Sequence, residues 1–266
     1  MKRVFLCADD YALAPGVSEA IRALIRTERL NATSVMIIFP DLKAEAAALD
    51  DACAGRKVSV GLHVTLTGAF APLTGGEALP DLRRLVGRSL LRRLDLRAVA
   101  AEVEAQFTAF HEVFGRPPDH VDGHQHAHVL PGVRQVVLAA TARHAPRAWL
   151  RDVTPAPSAL GGLDPKARLI GAFGRGFARD AARAGLSTSA GFAGAYDFEG
   201  GRDFAQLLGR FLKGAPDGGV VMVHPGRVDE ALISRDPLTS QREAELQVLS
   251  GGAMPGLLAQ AGARLF

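Results

Sequence analysis

A chain of 266 residues, 48% hydrophobic and 22% charged, carries enough apolar material for one sizeable core and too little charge for a disordered polypeptide. Its net charge of +3 makes no electrostatic demand for nucleic acid, and no run of about 20 apolar residues is present to span a membrane. Two cysteines, Cys7 and Cys53, are too few for a disulfide framework and fit a reducing compartment, so the expected location is cytoplasmic.

The chain opens on basic Met1-Lys2-Arg3, but the apolar run behind it ends at Asp9-Asp10, too short for a signal peptide. Val4–Ala8 reads as a buried strand running into Asp9-Asp10-Tyr11. Pro15 suits a helix's first turn, and Val17, Ala20, Ile21, Leu24 and Ile25 follow at helical spacing. Thr33–Phe39 is a second strand closed by Pro40, Leu42–Ala52 a helix, and Val58–Leu66 a third strand containing Gly61 and His63. Arg83–Arg97 is the most basic stretch. With its interleaved Leu and Val, it predicts a solvated helix face, a lid or a homodimer surface rather than a polyanion site. Leu94–Phe114 is the longest helical pattern, stopped by Gly115 and Pro117-Pro118.

His120-Val121 starts a short strand that runs into Asp122-Gly123-His124, and Pro131 opens a helix through Ala142. Ala148–Val153 is a strand, Pro155–Gly185 is loop-like and then helical, and Ala190–Tyr196 is a weak strand. Phe204–Leu212 is a helix, Gly219–Val223 a buried strand ending in His224-Pro225-Gly226, and Gln241–Leu249 and Gly256–Ala261 are helices before a last strand at Ala263–Phe266. Short apolar strands alternating with helices predict an α/β fold of parallel strands. The expected form is a single (β/α) barrel-like domain over 1–266, incomplete or distorted, with an open doubly wound sheet as the alternative. No glycine-rich dinucleotide or phosphate loop follows the first strand.

Asp9-Asp10, His63, the run His124-Gln125-His126-Ala127-His128, and His224 all fall at the carboxyl ends of predicted strands. In parallel α/β folds those ends converge on one face. Taken singly, each has an ordinary explanation: a capping Asp, a core His63, a surface histidine patch, a backbone-bonded His224. Taken together they predict a site in which an Asp and two His hold a divalent metal with open positions for water and substrate. A free carboxylate beside the metal can take the water's proton, and His224 is the candidate for protonating a leaving group.

Ala8-Asp9-Asp10-Tyr11, Gly61-Leu62-His63-Val64-Thr65-Leu66-Thr67, Asp122-Gly123-His124-Gln125-His126 and His224-Pro225-Gly226 together resemble the YdjC-like carbohydrate deacetylases, which include the chitooligosaccharide deacetylases, over nearly the whole chain. The resemblance implies a barrel related to the NodB-type deacetylases. It implies loss of acetate from an N-acetylhexosamine oligosaccharide or glycolipid, and one divalent metal ion, zinc or magnesium before manganese, cobalt or nickel. Carried over, Asp10, His63 and His124 are the metal ligands, Asp9 the general base and His224 the general acid. Tyr11, His126 and Arg151 contact substrate, and His126 is the alternative to His124 as ligand. Two departures stand out: Ala12 replaces the family's usual Gly, and Ile38-Phe39-Pro40 lies where many relatives carry Asn. The rival readings are a metal-dependent, isomerase-like barrel enzyme and a non-catalytic sugar-binding relative.

Overall fold

The computed structural model describes residues 1–39, 42–155, 165–198 and 202–266. The elements are β1 (Lys2–Tyr11), α1 (Pro15–Arg26), β2 (Ala32–Val35), α2 (Leu42–Cys53), β3 (Ser59–Val64), α3 (Leu82–Leu90), α4 (Leu96–Phe114), β4 (His120–Gly123), α5 (Val133–His144) and β5 (Trp149–Leu150). They continue as α6 (Pro165–Gly174), α7 (Phe177–Arg183), β6 (Ser187–Thr188), β7 (Phe192–Ala193), α8 (Phe204–Gly214), β8 (Gly219–Val223), α9 (Glu230–Arg235), α10 (Ser240–Ser250), α11 (Met254–Gln260) and β9 (Ala263–Leu265). A 3-10 helix, His124–Val129, follows β4 directly. Among the described residues no helix is long and apolar enough to cross a membrane.

The strands form one parallel, curled sheet in the order β6-β5-β4-β3-β2-β1-β8-β7, with β9 beside the first residues of β1. The segment from β6 to β7 stitches its two ends: Ser187 and Thr188 pair with β5, and Phe192 and Ala193 then pair with β8. Among the described residues β6 and β7 do not pair with each other, and a Pro155–Phe192 bridge links the two ends, so the sheet is a curled, incomplete barrel.

Side-chain alternation sorts the strands into two faces. Val4, Leu6 and Ala8, with Val60, Leu62, Val64, Val121 and Leu150, join the large apolar core beneath the helices. The alternate positions of β1 carry Phe5, Cys7 and Asp9, and Cys7, Ala32 and Val220 make a second, small cluster against Phe5 and Trp149. That inner face is polar in its upper half, where Ser34, His63, Asp122 and Arg151 are all buried. Gly61 is required there by close approach, since a Cβ would sit 2.3 Å from the His120 ring.

Three strands are shorter than the apolar runs that predicted them. β2 stops at Val35, and Met36 turns away while its N–H donates to the Tyr11 carbonyl. Ile38 and Phe39 are therefore not strand residues, and Pro40 lies outside the described residues. β5 and β7 keep two residues each. β5 and β7 lie at or next to the ends of the curled sheet, whereas β2, between β1 and β3, ends where the chain turns after Val35. Residues 156–164, within the stretch read as loop-like and then helical, also lie outside the described residues.

Candidate active site

The aspartate pair closes β1 at an irregularity. The β1–β2 register shifts between Ala8 and Tyr11, and Asp10 has φ 66. In a regular strand, Asp9 and Asp10 would face opposite sides of the sheet. This bulge-like turn lets both face the same cavity, and Asp tolerates the left-handed conformation better than most residues. Ala12 follows at φ 73, so the turn keeps the backbone that favours Gly although Gly is absent. Its N–H donates to the Ser18 hydroxyl at 3.0 Å.

A cavity of about 570 Å³ opens at the carboxyl ends of the strands, and Asp9, Asp10, His63, His124, His126 and His224 all line it. Residues from four separate segments thus meet at one mouth. Asp10 Oδ1 lies 3.0 Å from His124 Nδ1 and 3.3 Å from His63 Nε2. The three donor atoms are all within 4.8 Å of one another. Metal–ligand bonds of about 2.0–2.2 Å place neighbouring donors roughly 3–3.5 Å apart, so the spacing fits a divalent ion. The chemistry fits as well. His63 Nδ1 is 2.7 Å from Asp122 Oδ1, an acceptor-only carboxylate, so it carries the proton there. Nε2 faces the Asp10 oxygen, and a divalent cation between them would take the place of the proton Nε2 otherwise carries.

The local field favours positive charge. Burial opposes a charge on His63, yet Asp122 and Asp10 outweigh it and raise its pKa to about 10. Burial likewise works against charge on Asp10. The Arg242 guanidinium, 2.6 Å from its Oδ2, and His124 overcome that and hold the carboxyl well below the usual range. Two other donor groups, Asp9–His63–Asp122 and Cys7–His120–Asp122, are also compact. They already surround a fixed cation: Arg151 bonds Asp9 through both terminal nitrogens at 2.6 Å and reaches Asp122 Oδ2 at 2.5 Å. Neither Asp122 nor Cys7 lines the cavity.

The substrate-contact expectations divide. His126 lies on the cavity wall, edge-on to Phe192 at 5.3 Å, with Nδ1 unbonded. It does not join the Asp10 group, because the 3-10 helix puts His124 there instead. Arg151 is wholly buried behind Asp9 and is not a cavity residue, so it acts on the site through the carboxylates it grips. Tyr11 points away into the α1–α2 layer. Its hydroxyl donates to the Glu45 carbonyl at 2.6 Å and accepts from Arg22 at 2.8 Å. As the first residue beyond the bulge, it returns to the outer face.

His224 continues the inner-face register of β8 beyond Val220 and Met222. Burial pushes its imidazole down to about 4, so it rests neutral, and its Nδ1 has no protein partner. Its backbone N–H donates to Glu245 Oε2 at 2.5 Å, and Tyr196 donates to Oε1 at 2.6 Å.

Asp122, Ser34, Arg242 and Glu245 are residues that sequence reasoning did not single out for a role. The single Ser34 O–H donates to Asp122 Oδ2 at 2.7 Å, and its oxygen also lies 3.2 Å from Asp9 Oδ1. A period-two reading of the strands would have found Ser34 and Asp122, which share the inner face with His63 and Asp9. On α10, Gln241, Arg242, Glu245 and Leu249 are buried along one helical face, and charged residues in register with Leu249 were the signal there.

The remainder of the cavity wall is mostly aliphatic, with Leu82, Val86, Leu130, Ile170 and Leu238 among it. Residues 3–260 match the family described as YdjC-like protein. A chitooligosaccharide deacetylase of Yersinia pestis (strain Pestoides F) is 30% identical over 271 residues, covering 99% of this chain and 97% of that protein. A solved structure from Enterococcus faecalis V583, provisionally described as a cellobiose-phosphate cleavage protein, is similar over 100% of this chain and 97% of its own, with a TM-score of 0.76 at 18% identity. A peptidoglycan N-acetylglucosamine deacetylase has a TM-score of 0.50 at 10% identity, over 99% of this chain and 85% of its own. The two structural likenesses are likenesses of fold alone. The family match covers almost every element described above and all the residues gathered at the cavity, and the chain belongs to the YdjC-like protein family.

Proposed function

We propose that this protein is a metal-dependent hydrolase that removes the acetyl group from an N-acetylated carbohydrate, giving acetate and a free amine. One observation carries the reading: Asp10, His63 and His124 close on a shared point of a cavity that Asp9 and His224 also face. The chitooligosaccharide deacetylase named above supports the substrate class. The free thiols Cys7 and Cys53 support a reducing, cytoplasmic setting.

A divalent ion held by Asp10, His63 and His124 would polarise the acetyl carbonyl and lower the pKa of water. Zinc suits one carboxylate and two imidazoles, and magnesium, manganese, cobalt and nickel are the alternatives. Asp9 receives the proton of the attacking water. Its carboxylate offers about four lone-pair positions. Arg151 engages one on each oxygen, which leaves an acceptor on Oδ2. Arg151 also fixes the carboxylate's orientation. His224 rests neutral, and negative charge developing on the carbonyl oxygen raises its affinity for a proton. It takes that proton from solvent at the cavity mouth and gives it to the departing nitrogen as the C–N bond breaks, while Asp9 releases the water's proton to solvent once acetate has formed. Glu245 fixes the His224 backbone while this occurs.

The test is acetate release from N-acetylglucosamine, chitooligosaccharides and an N-acetylated glycolipid, with added metal and with chelator. Metal-dependent release is expected, and Asp10→Ala and His63→Ala should lose bound metal and activity together. Full activity in both variants would place the reaction elsewhere. Bound metal with no release from any substrate would favour the isomerase-like or binding-protein reading.

A further inference from the structure

The segment Leu82–Arg97 carries Arg83, Arg84, Arg88, Arg92, Arg93 and Arg97 against a single acid, Asp95, and so holds +5 in a chain whose total is +3. All six arginines are exposed. Among the described residues, none of their guanidinium groups makes an ion pair; Asp95 and Asp81 accept backbone N–H groups instead, capping α4 and α3. Arginines on a globular surface are ordinarily interspersed with acids, and a one-sign field is retained where a partner of opposite charge uses it.

Exposed leucines interleave with these arginines along the segment. Leu90, Leu91 and Leu96 are 56%, 64% and 46% exposed, three of the eight large exposed hydrophobics among the described residues. Along α3, Arg84, Arg88 and Leu91 fall in one row and Arg83, Gly87 and Leu90 in the next, because residues three and four apart are neighbours on a helix. Leu85 and Ser89 face inward. The same helix forms part of the cavity wall through Leu82, Arg83 and Val86.

We propose that this arginine–leucine face docks on an anionic phospholipid bilayer. The arginines meet the headgroup charge, and Leu90, Leu91 and Leu96 enter the headgroup–acyl boundary. Paired cations and exposed apolar side chains are what an interfacial helix uses. A soluble polyanion would use the arginines and leave the leucines in water. Because α3 belongs to both the face and the cavity wall, docking brings the cavity mouth to the membrane surface. The inference is independent of the reaction proposed above.

The experiment is co-sedimentation of the full chain with vesicles of phosphatidylcholine alone, and of phosphatidylcholine with phosphatidylglycerol, at low and high salt. Binding is expected only to the anionic vesicles and should fall with salt. Arg88→Glu/Arg92→Glu/Arg93→Glu should weaken partitioning by about a hundredfold, given what each basic residue contributes near an anionic surface. Leu90→Ser/Leu91→Ser should weaken it by roughly tenfold or more with the charges intact. These side chains are exposed, and circular dichroism of each variant checks that the fold is kept. No binding to anionic vesicles, or binding that both variants leave unchanged, overturns the proposal. Binding sensitive only to the arginines and matched by a soluble polyanion reassigns the face to a polyanion. A dimer in size-exclusion chromatography that Leu90→Ser/Leu91→Ser dissolves reassigns it to a second copy of the chain. Acetate release is read separately, so either proposal can fail without the other.

Discussion

Replacing Arg151 by Met removes a charge while keeping most of the side-chain volume. Arg151 is wholly buried, binds both Asp9 oxygens at 2.6 Å and reaches Asp122 at 2.5 Å. The variant leaves two carboxylates inside the barrel with the single Ser34 O–H between them. Breaking a buried ion pair by deleting one partner costs about 3–5 kcal/mol. With roughly 2–4 °C per kcal/mol for a chain near this size, the melting temperature should fall by about 6–20 °C at neutral pH. The pH dependence has a definite sign. In the wild type, burial would raise the Asp122 pKa, but Arg151 outweighs it and holds the carboxyl well below the usual range. That stabilisation is present above about pH 4 and is lost as pH falls further. In Arg151→Met the largest opposing charge is lost and His63 is left as the main one, so burial raises the Asp122 pKa relative to wild type and the deficit is largest at pH 8 and shrinks toward pH 5. Thermal melts of metal-free protein across that range measure it, with Arg151→Lys as the charge-retaining control. A variant that melts within about 2 °C of wild type at pH 8, or a deficit that grows toward pH 5, would refute the argument.

Two further variants probe the groups around the cavity. Asp122→Asn deprives His63 Nδ1 of its charged partner and should weaken metal binding by about 10–100-fold, read by competition with a chromogenic chelator; unchanged affinity would remove Asp122 from the site. Glu245, its pKa raised to about 7 by burial, contributes stability that is present below about pH 4.5 and lost as pH rises through 7. Glu245→Gln should abolish that slope, changing the pH 4 to pH 8 difference in stability by about 3 kcal/mol. Parallel pH–stability curves for variant and wild type would contradict the buried-acid assignment.

Much of this protein was written locally. Continuous apolar runs located β1, β3 and β8, and helical spacing located the long helix α4, whose ends are set by Asp95 and Gly115. The residues at the strand ends, Asp9, Asp10, His63, His124 and His224, could be picked out because a parallel sheet must present its carboxyl ends on one side. Local pattern could not say where pairing stops. β2 ends at Val35 and β5 at Leu150 although the sequence predicts strands to Phe39 and Val153, since strand length in a curled sheet depends on neighbours distant in sequence. Nor could it orient individual side chains. Asp10 faces the cavity because the chain bulges at φ 66, Tyr11 turns outward in consequence, and Arg151 is held behind Asp9 rather than in the cavity. Glu245 and Arg242 support residues more than twenty positions away in sequence or at the opposite end of the chain. The sequence by itself determined which chemical groups the strand ends carry, because hydrophobic period and residue type are local properties. The tertiary structure decided which of them share one cavity and which charges neutralise one another, because both depend on contacts made only when the sheet curls.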